Sequence, residues 1–122
     1  MVLVDTSIWI DHFRTPNGDL MDLLLKERVL LHPQIIGELA CGNLRNRTVT
    51  IRLLDSLPKA IIASDHEASH LIEARRLYGL GIGFVDVHLL SACQLTGCQL
   101  WTKDRALLAV AEKLGVAFRA TV

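Results

Sequence analysis

Apolar and polar positions along this chain alternate between two textures. Short aliphatic runs occur at Val2–Leu3–Val4, Val29–Leu30–Leu31, Ala60–Ile61–Ile62–Ala63 and Gln99–Leu100–Trp101–Thr102. Continuous apolar runs of this length, bounded by polar or turn residues, read as strands buried on both faces. Between them lie stretches with apolar residues three and four apart, the period of an amphipathic helix. Ser7 to Phe13 is a short helix broken by Thr15–Pro16–Asn17–Gly18. Asp19 to Arg28 carries Leu20, Leu23 and Leu24 on one side, with acids early and bases late, which suits the helix dipole. Pro33 can open a helix through Ile35, Ile36, Leu39 and Ala40, with Gly42 as its stop.

The same pattern continues in the second half. Asn43 to Leu57 reads as a polar, basic helix ended by Pro58. Ser64 opens a helix to about Tyr78, with Ala68, Leu71, Ile72 and Tyr78 as its apolar face. Val85 to Leu95 places Val85, Leu89, Ala92 and Cys93 together, and Gly97 ends it. Asp104 to Leu114 carries Leu107, Leu108, Val110 and Ala111; Gly115 caps it, and Val116 to Phe118 is a candidate last strand. Strands alternating with helices predict an α/β domain with a mostly parallel sheet. Residues 1–122 read as one domain, without repeats or linkers.

Composition narrows this picture little. Half the residues, 51%, are hydrophobic, enough for a substantial core. Thirteen basic residues balance thirteen acidic ones, so any nucleic-acid contact must come from a local patch. Cys41, Cys93 and Cys98 form no C-x-x-C pair. Each is expected to be a buried reduced thiol in a cytoplasmic protein. The opening "MVLVD" is interrupted by Asp5 and does not read as a signal peptide, and no apolar run is long enough to span a bilayer.

One motif invites a metalloprotease reading. His66–Glu67–Ala68–Ser69–His70 matches H-E-x-x-H, in which two histidines four apart share a zinc ion. Glu67, however, has a simpler task, since Ser64 and Glu67 are spaced as a capping box. A third ligand is also missing: Glu73 and Arg76 stand where a metzincin continues with Gly and His. A capped helix with solvent-facing His66 and His70 is the favoured reading.

Four acids occupy a different kind of position. Asp5 ends the first strand, Glu38 lies one turn into the helix after Pro33, Asp86 begins the helix after the glycine run, and Asp104 follows the last main strand. Ligands of open α/β sheets bind beyond the carboxyl ends of the strands. Acids crowded there repel one another, and a hard divalent cation such as Mg²⁺ or Mn²⁺ relieves the repulsion. Such a site suits phosphodiester hydrolysis without a Ser or Cys nucleophile. Taken singly, Asp86 and Asp104 also read as helix caps or first-turn charges, and Glu38 as a solvated helix residue.

Together these segments resemble PIN-domain ribonucleases, specifically the VapC-type toxins of bacterial toxin–antitoxin pairs. The resemblance rests on "VLVDTSIWIDHF", "HPQIIGELACG", "GIGFVDVHLLSAC" (in which Gly81 precedes Asp86) and "LWTKDRAL", in family order over essentially the whole chain. It implies a three-layer α/β/α sandwich around a parallel sheet, and a Mg²⁺- or Mn²⁺-dependent endoribonuclease. It assigns metal binding to Asp5 and Asp86. Glu38 and Asp104 complete the acidic site, partly through metal-bound waters. Thr6, Ser7 and Thr102 match hydroxyl positions that hold the acids or waters in place. In-line attack by metal-activated water is expected to leave a 5′-phosphate and a 3′-hydroxyl.

Arg14, and Arg45, Arg47 and Arg52 on the helix after Glu38, are candidates for RNA phosphate contacts, with ordinary solvated arginines as the alternative. The resemblance also implies a homodimer and a cognate antitoxin that covers an apolar groove between the early helices. Trp9 and Phe13 are candidates for that groove, with core packing the competing reading. Operator DNA would be bound through the antitoxin. A competing function is a non-catalytic module that keeps the fold and binds RNA or a partner. "GLGIGF" fails the dinucleotide fingerprint, because Phe84 stands where the last Gly is needed.

Overall fold

Val2, Leu3 and Val4 form strand β1 (Val2–Val4), and all three are buried. Successive strand side chains point to opposite faces, so burial of all three means that helices cover both sides of the sheet. The computed structural model describes residues 1–120. After β1 come α1 (Thr6–Arg14), α2 (Gly18–Leu25), β2 (Val29–Leu30), α3 (Pro33–Ala40) and α4 (Arg47–Ser56). They are followed by α5 (Asp65–Arg75), α6 (Phe84–Thr96), β3 (Gln99–Trp101) and α7 (Arg105–Lys113). The sheet order is β2-β1-β3, entirely parallel, with Leu3 opposite both Leu30 and Leu100. One continuous core joins Leu3, Leu30 and Leu100 to Ile35, Leu90 and Leu107.

The sheet is extended by single bridges where longer strands were expected. Leu31 pairs in parallel with Lys59, and Leu100 with Ala117. The run Ala60–Ala63 is therefore not a strand. Leu31 bonds to Pro58 and Ala60 across that bridge, but the next residue, His32, is already the N-cap of α3, so no ladder remains to continue. The Ile61 amide instead donates to the Thr96 hydroxyl at 2.8 Å, and Ile61 and Ile62 are exposed.

Helix ends differ from expectation where single residues enter the left-handed region. The helix expected from Asn43 starts only at Arg47, because Asn46 takes φ 47° and Arg45 and Asn46 form a turn before it. Asparagine tolerates this conformation better than most residues. Arg45 accordingly lies in the turn and not on the helix. α5 ends at Arg75 because Arg76 takes φ 55°, and the Leu77 amide bonds back to the Ile72 carbonyl at 2.9 Å. Tyr78 thus falls outside the helix and is exposed, not part of an apolar face. Val85 is also exposed, whereas Val87 to Cys93 is buried without a break. α6 packs against both α5 and β3, so it is enclosed well beyond one stripe. Cys93 and Cys98 are buried as expected; Cys41, at the end of α3, is exposed. Among the described residues no helix is long and apolar enough to cross a membrane.

Candidate active site

The carboxyl ends of β1 and β3 set the site. Asp5 directly follows β1 and its amide bonds to the Trp101 carbonyl at 2.9 Å, extending the ladder by one residue. Asp5 is the N-cap of α1, yet its carboxylate caps no helix amide. Its Oδ2 accepts from the Thr102 hydroxyl at 2.7 Å and from the Ser7 hydroxyl at 3.2 Å. Each hydroxyl also accepts a backbone amide, Thr102 from Asp104 at 3.1 Å and Ser7 from Lys103 at 3.2 Å. A hydroxyl has one proton to donate, so these incoming amides aim both protons at Asp5. The result is a buried carboxylate held from two sides, with Oδ1 making no hydrogen bond among the described residues.

Asp86 and Asp104 are oriented by their own helix starts. Asp86 Oδ2 accepts the Gly83 amide at 3.0 Å in the first turn of α6. Asp104 caps α7 through Oδ1, which accepts the Leu107 amide at 3.0 Å. The capping reading and the site reading are compatible, since a carboxylate used once as a cap keeps lone pairs on its second oxygen. Glu38 projects from the second turn of α3.

The four acids feel one another. Glu38 titrates above the ordinary glutamate range, first because it is partly desolvated, then because Asp5 and Asp86 repel its charge. Thr6 pulls the other way, although its hydroxyl makes no hydrogen bond of full geometry. Asp86 is likewise raised by desolvation, and further by Asp5 and Asp104; the Gly83 amide opposes the rise. No cation balances them: the ion pairs among the described residues are Lys26–Asp22, His88–Asp65, Lys103–Asp11 and Arg119–Glu112. Lys103, which directly precedes Asp104, turns to Asp11. An unbalanced cluster of hard oxygen donors fits a divalent cation. No three of these side chains already converge as a complete ligand set among the described residues.

The structure therefore brings together Asp5, Glu38, Asp86, Asp104, Thr6, Ser7 and Thr102, and separates the arginines. Arg14 and Arg45 border a groove of about 740 Å³ that also includes Glu38, Ile10, Phe13 and Leu39. Arg47 and Arg52 do not line it; Arg47 donates to the Gly42 carbonyl at 3.3 Å. Trp9 is buried at 3% exposure, so core packing wins there; Phe13 is exposed beside it, with ring centroids 5.9 Å apart. His66 and His70 are exposed, and Glu67 is engaged in the capping box, its Oε1 accepting the Ser64 amide at 2.9 Å.

Two histidines escaped sequence reasoning. His88 Nε2 meets Asp65 Oδ1 at 2.8 Å and its ring packs edge-on against Phe84 at 4.9 Å. This ties α5 to the start of α6, two residues from Asp86. His32 caps α3 through Nδ1, which accepts the Gln34 amide at 3.1 Å. Burial lowers its pKa, and the proximity of His88 lowers it further. The partners lie on different elements, so no local spacing announces them.

Residues 2–113 match the PIN domain family. The chain is also 41% identical over 118 residues to proteins of two Mycobacterium tuberculosis strains, CDC 1551 / Oshkosh and ATCC 25618 / H37Rv, both called Ribonuclease VapC32. The match covers 96% of this chain and 95% of each relative. With β1, α3, α6 and β3 placing the acids at one edge of a parallel sheet, the chain belongs to the PIN-domain family.

Proposed function

We propose that this protein is a Mg²⁺- or Mn²⁺-dependent endoribonuclease acting as the toxin of a toxin–antitoxin pair. The observation that carries this reading is the cluster of Asp5, Glu38, Asp86 and Asp104, in which desolvation and neighbouring acids raise Glu38 and Asp86 and no ion pair to a base is made among the described residues. A divalent cation held here would supply charge to offset the phosphate and would lower the pKa of water. Asp5 and Asp86 hold that cation. Thr102 and Ser7 fix Asp5 by donating to its Oδ2. Glu38, beside Asp5 and Asp86, and Asp104, beside Asp86, would orient water around that cation. Glu38, raised by desolvation and by the neighbouring Asp5 and Asp86, is the acid best suited to take a proton at its carboxylate. Arg14 and Arg45 contact RNA phosphates along the groove that starts at Glu38. The exposed Ile10 and Phe13 in that groove receive the antitoxin. The working form is a cytoplasmic homodimer of this single domain, and operator DNA is bound only through the antitoxin.

The test is cleavage of total RNA by purified, antitoxin-free protein. Discrete fragments with 5′-phosphate ends are expected in Mg²⁺ or Mn²⁺. EDTA should abolish them, and Asp86→Asn should slow cleavage at least about a hundredfold, as loss of a key charge-stabilising group does elsewhere. Cleavage that survives both would overturn the acidic site. Ends carrying 2′,3′-cyclic phosphate would overturn the water mechanism.

A further inference from the structure

The two histidines of the His66–His70 motif remain unused by the acidic site. They lie four apart on α5, both are exposed, and both line one groove of about 380 Å³ between α5 and α6. Residues at this spacing lie on one face of a helix, close enough for two imidazoles to share one metal ion. The capping box of Ser64 and Glu67 secures the turn that carries them. Across the groove stands Ser91, 5% exposed, a residue of the same lining whose buried hydroxyl has no hydrogen-bond partner among the described residues. Ser91 and Gln94 on the α6 wall add polar groups to a groove into which two neighbouring imidazoles open.

We propose that His66 and His70 form a second metal site, chemically distinct from the acidic one. Imidazole pairs prefer borderline transition ions, in the order Zn²⁺ and Ni²⁺ below Cu²⁺, over the hard Mg²⁺. No third His, Cys, Asp or Glu joins them among the described residues, so the protein supplies two ligands and water fills the rest. Binding is therefore exchangeable and weaker than at a four-ligand structural zinc site. The site binds metal without being a protease centre, since the glutamate that would act as base is held by the Ser64 amide.

The experiment is a titration of the metal-free protein with Zn²⁺, and then Ni²⁺, in a large excess of Mg²⁺ that occupies the acidic site. One saturable Zn²⁺ per chain is expected, with NMR shifts confined among the five histidines to the imidazoles of His66 and His70. His66→Gln and His70→Gln should each weaken uptake at least about tenfold, because each removes one of two ligands. Glu67→Gln, which preserves the capping box, should leave uptake unchanged. Asp5→Asn should also leave it unchanged, separating this site from the acidic one. Uptake that persists in the His66→Gln/His70→Gln double variant, or no saturable uptake at all, would overturn the proposal. Both histidines are exposed, so circular dichroism of the variants should match that of the parent.

Discussion

A single carboxylate shows how residue chemistry sets the site. Asp5 is buried and held by two hydroxyl donors, whereas Asp86 and Glu38 are pushed toward protonation by desolvation and by their neighbours. The consequence for stability runs opposite to the usual carboxylate case. A group whose folded pKa is raised binds its proton more tightly in the folded state. The stability it contributes is present below its unfolded pKa, about pH 4 for a carboxylate, and is lost as pH rises through the raised folded value. The metal-free protein should therefore lose stability as pH rises from about 4 toward neutrality. Asp86→Asn should flatten that loss and stabilise the metal-free form at pH 7, while sacrificing cleavage. Thermal unfolding across pH, with and without Mg²⁺, measures this; an unchanged pH slope in the variant would contradict it. Thr102→Val removes the stronger donor to Asp5 and leaves the Asp104 amide without its acceptor. It should cost about 1.5–3 kcal/mol in urea unfolding, the range for hydrogen bonds to charged groups.

At the scale of elements, caps decide more than propensity does. Asp86, Asp104, His32 and Ser64 each accept backbone amides at a helix start, and three of those helices carry or border an acid of the site. α5 has little hydrophobic asymmetry of its own, so its capping box is a large part of what defines its start. Ser64→Ala should cost about 1 kcal/mol, the usual loss for an N-cap. Its effect on RNA cleavage should be small, because α5 supplies no acid. A loss well above that figure would mean that α5 also positions Asp86 through the Asp65–His88 bond. At the far end of α5, Arg76 sits at φ 55°, where glycine meets no steric penalty. Arg76→Gly should raise stability by about 0.5–1 kcal/mol. A lowered urea midpoint would contradict that account.

At the scale of the whole molecule, a parallel sheet of short strands gathers residues 97 positions apart, such as Asp5 and Thr102. β1 is the central strand, so its packing sets the position of Asp5. Leu3, at 0% exposure between Leu30 and Leu100, should cost about 2–5 kcal/mol when replaced by Ala, measurable by urea unfolding. RNA must be drawn to a chain of zero formal net charge, so attraction rests on local positive charge beside the acids. Arg45→Ala should weaken RNA binding and lower the salt slope by about one phosphate contact, while Arg52→Ala, outside the groove, should not. Equal effects of the two substitutions would mean that the groove is not the RNA path.

The amino-acid sequence by itself determined the strands at Val2–Val4 and Gln99–Trp101, the helix started by Pro33, the capping box at Ser64, and the order of the four acids along the chain. Each of these follows from local rules: apolar runs, helical period, cap chemistry and motif spacing. The resemblance to PIN-domain ribonucleases was also legible, because its elements sit in order on those same segments. Tertiary structure alone decided the rest. Ala60–Ala63 has strand composition but finds no ladder, because β2 gives way to α3 after one bridge. Trp9, which sequence left open between groove and core, is buried, and Val85, expected on an apolar face, is exposed, since burial depends on what packs from elsewhere. Arg45 reaches the groove only because Asn46 delays the start of α4. The pairing of His88 with Asp65, and the mutual repulsion of the acids, arise between elements distant in sequence. Such contacts are set by through-space geometry, which no local pattern encodes.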